Sequence, residues 1–225
     1  MATINNNLFQ SPIGVVDFAI LHQPRKWDEV KKRSNYCEAD DERGEYSVKL
    51  IIGDEEGRNF KARVDGFLNG KANTLIEEKF NKLKPKQKEK YKDALAWNAE
   101  THSVNVMYPY EQLEDEDGEM LEGWKFTFKR KCLIKYKDKE TGEQKRFIFK
   151  PLFADKQGEK LDAQFFDTEG KIGNESKMRI KFKPYVWELG DKIGCKLDIY
   201  HCQLTEFIPY TGQTEDKKLF DAVVD

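Results

Sequence analysis

The sequence is poor in the residues that build metal and redox sites. It has four cysteines and three histidines in 225 residues, and no two cysteines stand in CxxC spacing. A structural zinc site needs clustered Cys and His ligands on short loops. The nearest approach is Cys195 with His201 and Cys202, which lie along one predicted strand. We therefore expect packed, reduced cysteines, no metal site and no cofactor.

The sequence also lacks the common catalytic and membrane signals. It contains no GxxxxGK[ST], GxGxxG, GxSxG or HExxH motif, so we expect no enzyme. No stretch approaches the roughly 18 apolar residues of a membrane helix. The first ten residues, MATINNNLFQ, show no basic region followed by an apolar run, so we expect no signal peptide and an intracellular protein.

Charge is balanced over the whole chain but not along it. The formal net charge is −2, although 36% of the residues are charged. The segment 124–187 contains 17 Lys or Arg and 9 Asp or Glu, a net of +8, so the rest of the chain carries −10. This asymmetry indicates a localised basic surface suited to a polyanion.

The first half of the sequence predicts two strands and a helical insertion. Strands are expected over 13–24, which stops at Pro24, and over 44–53, with an irregular loop between them at 25–44. Apolar residues then recur at three and four positions. We expect a helical insertion over about 56–97, in which one helix with a weak middle is followed by a second helical run.

The second half predicts mainly strands. The segment 111–122 holds seven acidic residues and no basic one, and is expected to be a solvated loop. Beyond it the period is two, with strands expected over 124–137, 144–153, 177–187 and 195–207. Five or more strands with one helical insertion indicate a mainly β fold, a small β-barrel that carries a helix.

Two of these strands have a basic face. In the strand 177–187, two large aromatic residues follow four basic residues at the same parity. The predicted strand 124–137 carries its lysines on the face opposite its aromatic residues. The residues concerned are Lys125, Lys129, Lys131, Lys135 and Lys137 in the strand 124–137, and Lys177, Arg179, Lys181, Lys183, Tyr185 and Trp187 in the strand 177–187. A half-exposed strand needs some polar face in any protein, and a bulge at Pro184 could turn the rings inward. Exposed rings beside cations, however, suit single-stranded nucleic acid, whose bases stack while lysines follow the phosphates.

Two other classes remain open at this point. A metal-dependent nuclease could use the carboxylates of 111–122 to hold magnesium. A protein-interaction module could use the basic face to meet an acidic protein.

Most of the chain, from about residue 10 to residue 210, resembles the single-stranded DNA-binding proteins of short-tailed bacteriophages. The resemblance lies in the stretches EDEDGEMLEGWKFTFKRKCLIKYKDKETGEQKRFIFKPLFADKQGEKL and SKMRIKFKPYVWELGDKIGCKLDIYHCQLTEF. The features are an acidic DG loop, an FKxKC strand, a DKxTxExK turn, a D-x-x-G-x-K turn, SKxxxK and PYxW. QPRK and GEYSVKLII match more loosely.

The resemblance implies an OB-fold with five strands and a helix between the early strands. It implies sequence-independent binding of single-stranded DNA in phage replication, recombination and repair, with protection and annealing of single strands. It also implies a homodimer, contacts of an acidic tail with DNA polymerase and primase-helicase, and a location in the cytoplasm of the infected host. We expect a flexible N-terminus at 1–10, one domain at 11–208 and a tail at 209–225.

The resemblance also points to particular site residues. The DNA-contacting lysines of the FKxKC strand fall on Lys129 and Lys131, and the aromatic residue of PYxW falls on Tyr185, next to Trp187. With the basic faces, the expected DNA-binding residues are Lys125, Lys129, Lys131, Lys177, Arg179, Lys181, Lys183, Tyr185 and Trp187. The tail departs from the family, because IPYTGQTEDKKLFDAVVD holds four acidic residues and two lysines where family tails are long and densely acidic.

Overall fold

The computed structural model describes residues 8–138 and 140–211, so the expected N-terminal segment and tail lie mostly outside the described residues. Within them the chain is mainly β. The strands are β1 (Phe9–Gln10), β2 (Gly14–Asp28), β3 (Arg33–Tyr36), β4 (Glu45–Ile52), β5 (Asn105–Met107), β6 (Tyr110–Glu114), β7 (Met120–Lys131), β8 (Leu133–Lys137), β9 (Gln144–Ile148), β10 (Leu152–Ala154), β11 (Lys160–Leu161), β12 (Lys177–Leu189) and β13 (Lys192–Glu206). The helices are α1 (Asp54–Asn81), α2 (Pro85–Lys88), α3 (Ala94–Thr101) and α4 (Ala163–Glu169).

Five strands pair in a cycle, here called the five-strand ring, in the order β2, β4, β7, β13, β12 and back to β2. All neighbours are antiparallel except β7 and β13, which are parallel. Two of the pairings are short. The β2–β12 pairing involves Gly14 and Val15 of β2, and the β7–β13 pairing joins Phe128 to Leu197. Six more strands widen the ring into an eleven-stranded mixed sheet, and β8 and β9 form a separate two-stranded sheet. The expectation of a mainly β fold with a helix is confirmed.

The core follows from the alternation of side chains along the ring strands. In β4 the residues Tyr46, Val48, Leu50 and Ile52 are all at most 2% exposed, while their neighbours in the strand are only partly buried. Burial raises the pKa of the Tyr46 hydroxyl to about 12. Because successive strand side chains point to opposite faces, each ring strand gives one face to the core and one to solvent.

Helix α1 follows β4, at the start of the long connection to β7, and covers the core with one apolar stripe. Phe60 is central, because its ring lies 4.7 Å from that of Phe126 and 5.7 Å from that of Phe182 between ring centroids. The helix is continuous over 28 residues and passes through Gly66 and Gly70, where the sequence indicates a weak middle. Both glycines face open space, and the buried stripe on the other side of the helix keeps the helix together.

Other element boundaries also differ from the sequence-based expectation. The second helical run is two short helices, α2 and α3. Strand β2 continues past Pro24, whose carbonyl oxygen accepts the N–H of Cys37, and the expected loop at 25–44 contains β3, which pairs with the end of β2. Pro24 lies between Ile20 and Arg25, where the register of β2 with β4 shifts, and proline is tolerated at such irregularities. The acidic segment 111–122 is largely a hairpin of β6 and the start of β7.

The expected strand 124–137 is two strands, because the chain leaves the ring at Cys132. The N–H of this residue donates to the Gly44 carbonyl oxygen, and its own carbonyl oxygen accepts the N–H of Phe149. Strands β8 and β9 then pair as an antiparallel hairpin outside the ring, here called the β8–β9 hairpin. Strand β9 ends at Ile148, after which β10 pairs in parallel with β13. Helix α4, in a segment for which the sequence predicted no helix or strand, begins where the Asp162 carboxylate accepts the N–H of Phe165.

Candidate nucleic-acid interface

The basic residues of β7 alternate with its core residues. Phe126 and Phe128 are fully buried, while Lys129 and Lys131 are exposed on the opposite face. Lys125 lies on that same face and is partly buried. The period of two along the strand therefore separates cations from core rings, as the sequence predicts.

The same alternation holds in β12, including its aromatic end. Met178, Ile180 and Phe182 are fully buried, and Tyr185 is 56% exposed on the opposite face. The register with β13 is regular from Phe182 to the end of the strand, so no bulge at Pro184 turns the ring inward. The interpretation of Tyr185 as an outward ring beside lysines is therefore correct.

Trp187 and Lys129 lie in one shallow groove, here called the Trp187 groove. It is bordered by Trp187 of β12, Lys129 of β7 and Lys196 of β13, and Tyr108 forms part of its wall. The indole of Trp187 covers the backbone of Gly194, its cross-strand partner, and no side chain at Gly194 interferes. The groove therefore has an aromatic wall between two cations.

Tyr185 and Lys131 lie in a second groove, here called the Tyr185 groove, which also contains Arg130, Lys135 and Lys196. Tyr185 and Lys196 are cross-strand partners, and the Lys196 ammonium lies 5.9 Å from the centroid of the Tyr185 ring. Because Lys196 borders both grooves, they form one continuous surface, here called the basic groove. It brings together four of the nine expected residues: Lys129 and Lys131 of β7, and Tyr185 and Trp187 of β12.

Several cations of this region are already paired with carboxylates. Lys129 lies 3.6 Å from Glu45, and Lys196 lies 2.8 Å from Asp198. Lys131 has no carboxylate within 4.0 Å among the described residues. Ion pairs at a solvated surface contribute about 0–1 kcal/mol, so a phosphate can replace the carboxylate at small cost.

The remaining expected residues lie outside the basic groove. Lys125 pairs with Asp17 at 3.2 Å, and Lys177 pairs with Glu206 at 2.7 Å. Arg179 and Lys181 border a different depression, formed with β10 and β13. Lys183 is exposed between the two regions. A strand of 13 residues is about 40 Å long at ~3.3 Å per residue, so its two ends cannot border one small groove.

Arg130 is a functional candidate that the sequence analysis missed. Its guanidinium lies between the rings of Phe149 and Tyr200, at 4.0 and 3.7 Å from their centroids, and donates to the Ile199 carbonyl oxygen at 3.0 Å. Desolvation lowers the pKa of this guanidinium, and Tyr200 and Asp198 oppose the shift. Its parity in β7, shared with the buried phenylalanines, is the signal that could have revealed it. The contact fixes the base of the β8–β9 hairpin against β13.

Lys196 is the second missed residue, and it joins the two grooves. Lys196 is partly exposed and stands between the buried Cys195 and Leu197 in β13. The alternation of this strand could therefore have identified it from the sequence. Its importance, however, depends on the pairing of β13 with β12. Tyr108, 41% exposed, precedes β6 in a segment with no periodic signal.

The acidic hairpin and the cysteines make contacts that stabilise the fold. The Asp115 carboxylate accepts the N–H groups of Asp117 and Glu119 and so shapes the turn. All four cysteines are buried and unpaired, and burial raises the pKa of the Cys195 thiol to about 11.

In the part of the chain that the structure describes, no three His, Cys, Asp or Glu side chains are grouped to hold a metal ion. No helix among those residues has the length and apolar character to cross a membrane.

No protein-family model and no curated protein sequence matches the chain. Among solved structures, its fold is similar to that of gp2.5, a single-stranded DNA-binding protein of bacteriophage T7, with a TM-score of 0.57 and 21% identity over 92% of this chain and 96% of that chain. Similarity to the single-stranded DNA-binding protein of bacteriophage Enc34 is weaker. Its complex with single-stranded DNA gives a TM-score of 0.49 and 10% identity over 90% of this chain and 88% of that chain. The resemblance to phage single-stranded DNA-binding proteins is thus confirmed, as a shared fold.

Proposed function

We propose that the chain binds single-stranded DNA without sequence preference, through the basic groove. One observation carries the proposal: the groove places the rings of Tyr185 and Trp187 beside Lys129, Lys131 and Lys196, which come from two neighbouring strands. The fold shared with a phage single-stranded DNA-binding protein supports it.

The chemistry of the groove suits an unpaired strand. Each base that stacks on an aromatic side chain contributes about 1–3 kcal/mol, whatever the base, while cations hold the phosphates. A duplex keeps its base faces inside the stack, so it leaves Tyr185 and Trp187 without a binding partner. The groove therefore favours single strands over duplex, and stacking on its rings does not depend on base sequence.

We further propose that the five-strand ring is an OB-fold barrel. In strand order along the chain, the ring runs first, second, third, fifth, fourth, with the third and fifth parallel, and α1 joins the second to the third. OB-folds bind oligonucleotides on the face of their second and third strands. Here those strands are β4 and β7, and β7 supplies Lys129 and Lys131.

The wider role that we propose comes from the resemblance. The DNA footprint includes the other expected residues, Lys125, Lys177, Arg179, Lys181 and Lys183, around the basic groove. One domain at 11–208 acts in the cytoplasm of an infected bacterium, in phage DNA replication, recombination and repair. It protects and anneals single strands without catalysis. A homodimer and contacts with DNA polymerase and primase-helicase complete this proposal.

A binding assay tests the proposal directly. Fluorescence anisotropy of labelled single-stranded and duplex oligonucleotides of equal length, with and without magnesium, should show binding of the single strand alone, equally with poly-dT and mixed sequence, and no cleavage. Magnesium-dependent cleavage would favour the nuclease. Absence of binding to any DNA would favour a module that meets an acidic protein.

A further inference from the structure

A second cationic and aromatic pocket lies outside the basic groove. It is formed between the β2–β3 hairpin and the segment that precedes β12, and is here called the β2–β3 pocket. Its wall includes Phe18 and Arg25 of β2, Tyr36 of β3, and Lys171 and Tyr210. None of these five residues was expected in the DNA footprint, although PRKW in the sequence combines cations with an aromatic residue.

Two cations of this pocket converge on one ring. The Arg25 guanidinium lies 4.1 Å and the Lys171 ammonium 5.3 Å from the centroid of Tyr36. In the described part of the chain, neither cation has a carboxylate within 4.0 Å, and the buried Nε of Arg25 has no hydrogen-bond partner. Two like charges held together without a counterion create a positive potential that favours an anion.

His22 also borders the pocket. Its Nε2 accepts the N–H of Ile172, so the ring is held neutral. Burial, with a smaller contribution from the nearby charge of Lys171, lowers the pKa of His22 to about 4. His22 is therefore neutral near pH 7 and adds no charge to the two cations of the pocket.

Strand pairing connects the pocket to β7 across β4. Ile20 of β2 borders it and pairs with Ser47 of β4, which pairs with Lys129 of β7. Phe18 likewise pairs with Lys49 of β4. Adjacent strands lie about 4.8 Å apart, so roughly 10 Å separates β2 from β7 across β4. A single strand leaving the basic groove over the small side chain of Ser47 would reach the pocket within a few nucleotides.

We infer that the β2–β3 pocket binds a backbone phosphate of the same DNA strand, with Arg25 and Lys171 as its ligands and the exposed ring of Phe18 as a stacking surface for the adjoining base. This inference rests on the proposed function and extends its footprint across β4. Single-stranded DNA is favoured over an acidic peptide because the exposed ring of Phe18 lines the pocket with the two cations, as rings and lysines line the basic groove.

The test uses Lys171→Ala in the full chain with a ladder of oligo-dT from about 4 to about 16 nucleotides, the range of site sizes of OB-folds. The matched control is Lys86→Ala, which removes the same charge from the exposed surface of α2. We expect Lys171→Ala to weaken binding about threefold to tenfold for the longest strands and to leave the shortest unchanged. Its salt slope for long strands should fall by about 0.7, the value of one phosphate contact.

The outcomes separate this inference from the proposed function. Arg25→Lys, which keeps the charge and removes the planar fork, should fall between the wild type and Lys171→Ala. Equal affinity of the wild type and Lys171→Ala at every length, with equal melting temperatures, overturns the pocket assignment but not DNA binding. An equal loss at all lengths also overturns it. Failure of the wild type to bind any oligonucleotide refutes the proposed function itself.

Discussion

The indole ring of Trp187 covers the α-carbon of Gly194, its cross-strand partner in β13. A Cβ atom at Gly194 would lie 2.6 Å from Cε2 of that ring, closer than two carbon atoms can approach. Glycine is therefore required at this position by the ring and not by the backbone. The orientation of Trp187 in the basic groove depends on a residue that has no side chain to contact DNA.

The first prediction follows from this contact. Gly194→Ala should displace the indole and weaken single-strand binding by about 1–3 kcal/mol, the contribution of one stacked base. Gly66→Ala is the matched control, because its Cβ would meet nothing within 4 Å in α1. Titrations that follow Trp fluorescence measure both. Wild-type affinity in a folded Gly194→Ala protein would remove Trp187 from the footprint.

The second prediction concerns Tyr185. Because its ring is 56% exposed, Tyr185→Ala should leave the melting temperature nearly unchanged and weaken binding by about 1–3 kcal/mol, equally for poly-dT and mixed sequences. Tyr136→Ala is the control, since Tyr136 is 48% exposed on β8 and is not among the residues that line the basic groove. Anisotropy and thermal melting decide. Similar affinity losses in the two variants would contradict a specific role for Tyr185.

The third prediction concerns the lysines of β7. The double variant Lys129→Ala and Lys131→Ala should weaken binding of all sequences alike and reduce the salt slope by about 0.7 for each phosphate that the variant no longer neutralises. The control pair Lys90→Ala and Lys92→Ala removes two exposed cations beside α2. Affinities at four or more salt concentrations give the slopes. An unchanged slope in the first double variant would exclude both lysines from binding phosphate.

The fourth prediction concerns pH. The pKa of His22 is lowered by burial to about 4, from an ordinary value near 6.5, so the unfolded chain binds a proton more readily than the folded one. This stabilisation is complete above about pH 6.5 and is lost as the pH falls towards 4. With allowance for partial exposure of the ring, the loss is on the order of 2 kcal/mol.

Urea unfolding between about pH 7.5 and about pH 4.5 measures this effect, since the slope of stability with pH counts the protons taken up on unfolding. His22→Gln keeps an acceptor for the N–H of Ile172 and removes the titrating group. Its stability should fall less over the same pH range than that of the wild type. Parallel curves of stability against pH for the two proteins would show that His22 is not the group that takes up this proton on unfolding.

The sequence predicted individual strand faces well, because a period of two is a local property. Lys129 and Lys131 face outward and Phe126 and Phe128 face inward, as their alternation indicates. The same pattern failed at Cys132, where the strand ends because the residue bonds to Gly44 and Phe149, both distant in sequence. The alternation of apolar and polar residues continues in the sequence beyond Cys132, but the chain there pairs with β9 instead of β4.

The composition of the basic groove was less predictable, since it depends on pairing between distant strands. Lys196 enters it only because β13 lies between β7 and β12 in the ring. Arg130 illustrates the opposite difficulty. A cation in a basic segment is assumed to face solvent, yet the rings of Phe149 and Tyr200 enclose it.

The short pairing of β7 with β13 leaves a seam in the five-strand ring. Phe128 and Leu197 form its one ladder pair in the described chain, and Lys129 and Lys196 stand on either side of it. A DNA strand held by both lysines would bridge two strands that share little backbone hydrogen bonding. Since a ligand that binds only the folded state stabilises it, occupancy of the groove should slow hydrogen exchange of the amides along this seam, around Leu197, more than at the fully paired β4.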